Sequence, residues 1–121
     1  LNDGLTPASS DDHSMPFLHW WPRFGEREWV EYHFEAPAEV SRVKVYWFDD
    51  SPGGGCRIPA AWELFHREDE EWRPVEEASA YTVQKDAFNE VTFKAVRTDA
   101  LRLEIQMRDG VSGGMLEWIV E

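Results

Sequence analysis

A strict alternation of apolar and polar residues near the carboxyl-terminal end limits the folds open to this chain most strongly. Leu101, Leu103, Ile105 and Met107 alternate there with charged or amide side chains. Successive side chains of a β-strand point to opposite faces of a sheet, so this pattern predicts a half-buried strand. No window of about eleven residues repeats apolar residues at the helical spacing. The chain is therefore expected to be built from strands.

Further stretches show the same alternation. Glu28 to Glu35 alternates, and Pro37 is expected to end that strand because proline lacks the N–H that a sheet ladder needs. About seven or eight short strands recur at intervals of roughly 8 to 15 residues. Antiparallel strands with one apolar face bury that face against another sheet, so the sequence predicts an all-β sandwich or jelly roll.

One long loop separates two of the predicted strands. The segment from Asp49 to Ala60 is roughly twelve residues long, whereas tight hairpin turns have about two to five. It carries Asp50, Cys56 and Arg57 besides a run of glycines. Loops of this size often carry function, so we look for a binding site here. A solvated crossover between two sheets is the alternative.

Charge and length narrow the classes of function. The 121 residues fit a single domain, residues 1–121, and include 12 Lys and Arg against 24 Asp and Glu, a net charge of -12. This charge disfavours nucleic acid and anionic membrane surfaces as partners. No apolar run approaches the roughly eighteen residues of a membrane span, so no membrane insertion is expected. Neutral ligands and cations remain as the expected binding partners.

The first stretch of the chain is rich in oxygen ligands. Residues 1–21 combine turn-forming residues with aspartates and serines. Calcium prefers about six to eight oxygen ligands, so a metal site is conceivable; a solvated acidic turn is the alternative. Because the chain starts at Leu1 without a leader, we expect it to be part of a longer protein.

No catalytic arrangement is visible in the sequence. The four histidines are scattered, and no nucleophile motif surrounds the single cysteine, Cys56. The adjacent carboxylates Asp49 and Asp50 would point to opposite faces of a strand, which does not suit a glycosidase pair. The seven tryptophans exceed what an ordinary core needs, and some are expected to be exposed for stacking.

Several motifs together resemble a known family. They are an early NDG turn with an aromatic pair, WVEYHF, VSRVKVYW, AWELFHREDEEWRPV, RLEI and a closing GGMLEWIV. This pattern resembles the discoidin, or F5/8 type C, family of galactose-binding-like domains, a fold also used by family 32 carbohydrate-binding modules. The combination of WFDD, GGGCRIP and AWEL is most similar to the C-terminal accessory domain of bacterial glycoside hydrolases of the β-L-arabinofuranosidase-like type.

The resemblance implies an eight-stranded antiparallel jelly roll with a structural calcium ion between the first loop and the last strand. Asp3 and Glu117 would match the calcium ligands. The family's sugar sites lie at loops on one end of the sandwich. The corresponding residues here are Trp20, Trp21, Asp49, Asp50 and Arg57. The last turn, DGVSGG, has no aromatic residue, which departs from the sugar-binding members.

Two functional hypotheses follow. The first is a non-catalytic carbohydrate-binding module of a secreted or periplasmic glycoside hydrolase. The second is a non-binding structural domain that packs on the catalytic domain of the same chain and stabilises it. An aromatic patch that faces water would favour the module, whereas an apolar patch of several hundred Å² continuous with Leu1 would favour packing on a partner domain.

Overall fold

The described residues form six β-strands and contain no helix. The computed structural model describes residues 9–10, 18–19, 25, 27–51 and 53–121. The strands are β1 (Leu18–His19), β2 (Arg27–Phe48), β3 (Ala61–Glu68), β4 (Glu71–Pro74), β5 (Phe88–Gln106) and β6 (Gly114–Val120). The predicted all-β class is confirmed. No helix in this part of the chain could cross a membrane.

The strands pair in the order β1-β6-β2-β5-β3-β4, and every pair of neighbours is antiparallel. β2 and β5 are long enough for each strand to take part in both of the two layers of the fold. Layer A contains β1, β6, the second half of β2 and the first half of β5. Layer B contains the first half of β2, the second half of β5, β3 and β4.

The two layers pack face to face. Trp47 of layer A follows Tyr46, which pairs with Phe88, the first residue of β5, whereas Trp62 of layer B pairs with Ile105 near the end of β5. In a flat sheet these tryptophans would lie many residues apart along β5. Their ring centroids instead lie 5.4 Å apart in an edge-to-face arrangement. The sheet is therefore folded over on itself, and the tryptophan pair lies between its layers.

Pro37 does not end a strand, contrary to the sequence prediction. β2 runs through it, and the pairing with β5 shifts between His33 and Ala38 and again between Val40 and Arg42. Pro37 lies inside the first shift, where no residue is paired, so its missing N–H removes no ladder hydrogen bond. β5 likewise joins two predicted strands. The described residues therefore form six strands, where eight were expected.

The interior between the layers is built from the alternating residues of both long strands. Each strand sends every second side chain inward, as the sequence pattern predicted. The side chains fully shielded from water in this interior include Val43, Val45, Trp47, Leu64, Val91, Leu101, Leu103, Ile105 and Met115. Met107 and Trp118 are almost as buried.

Part of the outer face of layer A is also buried. Tyr46, Phe48, Cys56 and Leu116 form a second apolar cluster there. The Ser10 carbonyl lies beside this cluster and accepts a 2.8 Å hydrogen bond from the Asp49 N–H. Arg42 and Glu90 on the same face are exposed, so the outer face of layer A is buried over part of its area. The outer face of layer B is open.

The hairpin of β3 and β4 has a polar tip. Glu68 pairs with Glu71, which leaves a two-residue turn at Asp69 and Glu70 with φ angles of 51° and 68°. Two positive φ angles characterise a type I′ turn, whose twist matches the flanking strands. The turn returns Trp72 to the open face of layer B.

Candidate ligand-binding surfaces

Asp49 holds the first end of the long loop. Its Oδ1 accepts a 3.0 Å hydrogen bond from the Ser51 N–H, and its Oδ2 accepts one of 3.0 Å from the Ile58 N–H. The residue is only 3% exposed. Burial acts to raise the pKa of Asp49, but the bonds from Ser51 and Ile58 and the ammonium of Lys85, 3.7 Å away, together hold that pKa below its ordinary value. The carboxylate is a structural anchor of the loop.

Asp50 organises the centre of the same loop. Its Oδ1 accepts a 2.8 Å hydrogen bond from the Cys56 N–H, and its backbone carbonyl accepts one of 2.8 Å from the Gly54 N–H. The Asp50 N–H in turn donates to the Cys56 carbonyl over 3.2 Å. The glycine-rich segment is thus wrapped around one side chain and has a defined conformation.

Arg57 lies at the same turn. Its Nη1 donates to the carbonyls of Gly54 and Cys56 over 2.7 and 2.8 Å, and lies 3.8 Å from Asp50 Oδ1. Its Nε and Nη2 have no hydrogen-bond partner among the described residues. The loop therefore brings Asp49, Asp50 and Arg57 together, but many of their hydrogen bonds stabilise the loop itself.

Cys56 lies within this loop, next to the turn before β6. It forms an isolated parallel bridge with Ser112, and the Arg57 N–H donates to the Ser112 carbonyl over 3.0 Å. Burial and the nearby Asp50 carboxylate raise the pKa of the thiol to about 11. Cys56 is therefore a protonated packing residue at neutral pH.

The remaining predicted ligand-binding residues, Trp20 and Trp21, lie outside the described residues, as does Asp3. Glu117, the other predicted calcium ligand, is fully buried on β6, and its Oε1 accepts a 2.9 Å hydrogen bond from the Trp118 N–H. A buried carboxylate is a suitable calcium ligand, so Glu117 fits that site. Within the described ranges no group of three His, Cys, Asp or Glu side chains could hold a metal.

A second surface, which the sequence analysis did not select, is the open face of layer B. Trp29 is 49% exposed there, and it is the one exposed large hydrophobic side chain in the described part of the chain. The guanidinium carbon of Arg102 lies 4.4 Å from the centroid of the Trp29 ring and 5.8 Å from that of Trp72. The signal for this surface was the outward position of Trp29 in the alternation of β2.

The strand register places charged side chains beside Trp29. Trp29 pairs with Glu104, and Glu104 pairs on its other side with Glu63. Glu104 Oε1 lies 3.0 Å from Arg27 Nη2. Next to this row, a pocket of about 110 Å³ is lined by Arg27, Glu63, Glu104 and Gln106 together with Ala61 and Trp62. The face thus combines an aromatic ring with both hydrogen-bond donors and acceptors.

A third depression lies at the bend of the sheet. It has a volume of about 210 Å³ and is lined by charged side chains, among them Glu68, Glu76 and Lys94. Glu76 and Lys94 pair with each other over 3.5 Å. His66 also lines it, but no Phe, Tyr or Trp among the described residues does, so it lacks a large apolar ring on which a sugar could stack.

Comparison with known proteins defines the fold more closely. No family model matches the sequence. A chain of the Streptococcus pneumoniae β-galactosidase BgaA superposes with a TM-score of 0.82 at 17% identity, over 99% of this chain and 82% of that one. Chitosan-binding module 2 of a chitosanase/glucanase from Paenibacillus sp. IK-5, solved with chitotriose, gives 0.63 at 20% identity over 84% and 76%.

A pectin-binding carbohydrate-binding module is also similar, with a TM-score of 0.59 at 13% identity over 80% of this chain and 68% of that one. At such low identities the similarity establishes the fold and leaves the ligand open. The chain therefore has the β-sandwich fold that carbohydrate-binding modules use.

Proposed function

We propose that this chain is a non-catalytic carbohydrate-binding module that serves a glycoside hydrolase as an accessory domain. The observation that carries the proposal is Trp29, whose side chain faces water on an open sheet face beside charged hydrogen-bonding groups. Sugar sites pair an apolar stacking surface with a few well-placed polar groups. The similar structures include modules that bind chitosan and pectin, which supports a carbohydrate as ligand.

The exposed aromatic ring favours the module over the structural spacer. A domain that packs on a partner is expected to expose a continuous apolar patch of several hundred Å². In the described residues Trp29 is the one exposed large hydrophobic side chain, and charged residues surround it. This surface suits a small polar ligand with one apolar face better than a hydrophobic protein interface.

The arrangement of carboxylates supports a binding role without catalysis. A glycosidase needs two acids on opposite sides of the scissile bond. Asp49 and Asp50 are occupied in holding their loop, and Glu63 and Glu104 lie side by side on one open face. Neither pair encloses a bond from two sides.

The end-loop site remains part of the proposal. Arg57 Nη1 lies 3.8 Å from Asp50 Oδ1 in this loop, and the hydrogen bonds to Asp49 stabilise the loop. Trp20 and Trp21 would supply the apolar surface on which a sugar stacks. A structural calcium ion bound by Asp3 and Glu117 would tie the first loop to the last strand. We also propose that the parent enzyme is a secreted or periplasmic protein, since polymeric carbohydrates are met outside the cell.

Affinity electrophoresis tests the proposed function. The folded domain is run in native gels that contain chitosan, pectin or a galactan, with an unrelated protein of similar size and charge as the control. We expect one polysaccharide to retard the domain more than the control. Equal mobility of both proteins in every gel would contradict the proposal.

A further inference from the structure

We propose that Trp29, Glu63 and Glu104 form a binding site for a protonated amino sugar on the open face of layer B. This inference rests on the proposed function and names both the ligand class and a surface distinct from the end loops. A sugar unit would stack on Trp29 and place its ammonium group beside the two carboxylates.

The strand register aligns the three side chains. Trp29, Glu104 and Glu63 occupy directly paired positions on β2, β5 and β3, so they form one row across three neighbouring strands. Strands lie about 4.8 Å apart, and the row therefore spans about 10 Å. This length accommodates a ring on the tryptophan together with a substituent that reaches the carboxylates.

Arg102 holds the tryptophan in place. Its guanidinium carbon lies 4.4 Å from the ring centroid of Trp29, and ion pairs on both sides restrain it. Arg102 Nε lies 3.2 Å from Glu104 Oε2, and Arg102 Nη1 lies 3.5 Å from Glu31 Oε2. The stacking surface is thus positioned before a ligand arrives, which reduces the entropy lost on binding.

The two carboxylates favour a positively charged ligand. Glu63 and Glu104 stand directly opposite each other on adjacent strands, an arrangement that destabilises a sheet when both are charged. Arg27 and Arg102 compensate Glu104. The Glu63 side chain has no hydrogen bond or ion pair among the described residues. The charged side chains that line the 110 Å³ pocket are Glu63, Glu104 and Arg27, which leaves this lining with one net negative charge. A cation in this pocket would relieve the repulsion.

An ammonium group fits this pocket better than a metal ion. Calcium takes about six to eight oxygen ligands, and within the described ranges no cluster of three acidic, His or Cys side chains exists. An ammonium group has three donors, which two carboxylates and the amide oxygen of Gln106 can accept. The net charge of -12 also draws a cationic ligand toward the domain.

Isothermal titration of the whole domain tests this site with two probes, a trisaccharide of glucosamine and the same trisaccharide fully N-acetylated. We expect the glucosamine trimer to bind at least about tenfold more tightly, because acetylation removes the ammonium charge. Trp29→Ala and Glu63→Gln should each weaken its binding about five- to tenfold. Both side chains lie at the surface, and circular dichroism will verify that the variants fold.

Two control variants distinguish binding at this row from attraction by the net charge and from binding at the end loop. Glu39→Gln removes one charge from an exposed position away from the row and should not change the affinity by more than about twofold. Arg57→Ala alters the proposed end-loop site, so a loss of affinity in this variant with unchanged affinity in Trp29→Ala would assign the binding to the end loop. If Glu39→Gln weakens binding as much as Glu63→Gln, only the net charge attracts the sugar and the inference is wrong.

The other possible results of these titrations also test the inference. If a sugar binds but only Arg57→Ala abolishes binding, the result supports the proposed function and contradicts the site on layer B. Equal affinity for the two trisaccharides would overturn the amino-sugar assignment. If the wild-type domain binds no carbohydrate of a broad panel, the proposed function fails, and this inference fails with it.

Discussion

The carboxylate of Asp50 occupies the space into which a Cβ atom at residue 54 would project. Residue 54 must therefore be glycine, because the methyl group of an alanine there would overlap the side chain of Asp50, around which the loop is wrapped. Gly53, its neighbour, has no atom within 4 Å of the corresponding Cβ position. The two glycines form a matched pair for testing how rigid the loop is.

Gly54→Ala should lower the free energy of unfolding by about 1 to 3 kcal/mol, because Asp50 must give up its hydrogen bond to the Cys56 N–H. Gly53→Ala should change it by less than about 0.5 kcal/mol. Urea denaturation of both variants measures the difference. Equal stability of the two would show that Asp50 does not organise the loop.

Asp49→Asn should make the unfolding free energy less dependent on pH in acid. Because the folded state lowers the pKa of Asp49, its stabilising effect is complete above the ordinary value of 3.8 and is lost as the pH falls through the lower folded pKa. Denaturation curves between about pH 5 and pH 2 measure this. The wild type should lose more stability than the variant over this range, and parallel losses would contradict the assignment.

Cys56 should react slowly with iodoacetamide in the folded domain. The thiolate is the reactive form, and a thiol pKa of about 11 together with 3% exposure leaves little of it accessible at pH 8. Mass spectrometry of the native and the urea-unfolded protein measures the two rates. Labelling at similar rates would mean that Cys56 is accessible in the folded state.

Calcium should stabilise the domain if Asp3 and Glu117 bind it together. For a site with a dissociation constant on the order of 0.1 to 1 mM, millimolar calcium would add roughly 1 kcal/mol. Melting curves with EDTA, calcium and magnesium measure the shift, and Glu117→Gln should remove the response to calcium. The same melting temperature in all three conditions would argue against the calcium site.

The alternation of residues predicted the strands well and their ends less well. Leu101 and Leu103 face the interior as expected, because one buried face fixes which residues of a strand point inward. The continuation of β2 through Pro37 could not be predicted, since it depends on a register shift against β5 that exists only in the assembled sheet.

For the candidate sites, too, the sequence predicted some features, whereas others depend on the folded structure. Sequence placed Asp49, Asp50 and Arg57 in one loop, but the hydrogen bonds that bind them to the backbone of that loop depend on its folded path. Trp29 lies opposite the inward residues of β2, as the alternation from Glu28 to Glu35 indicates. Its proximity to Glu63 required the order of three strands that are distant in sequence.

Calorimetric titration of the intact domain against a broad panel of plant and bacterial glycans tests the central claim, carbohydrate binding, most directly. The account predicts saturable binding of at least one oligosaccharide, with a dissociation constant of about 1 mM or below, equivalent to about -4 kcal/mol. A folded domain that produces no saturable heat with any glycan at concentrations of about 10 mM would contradict it.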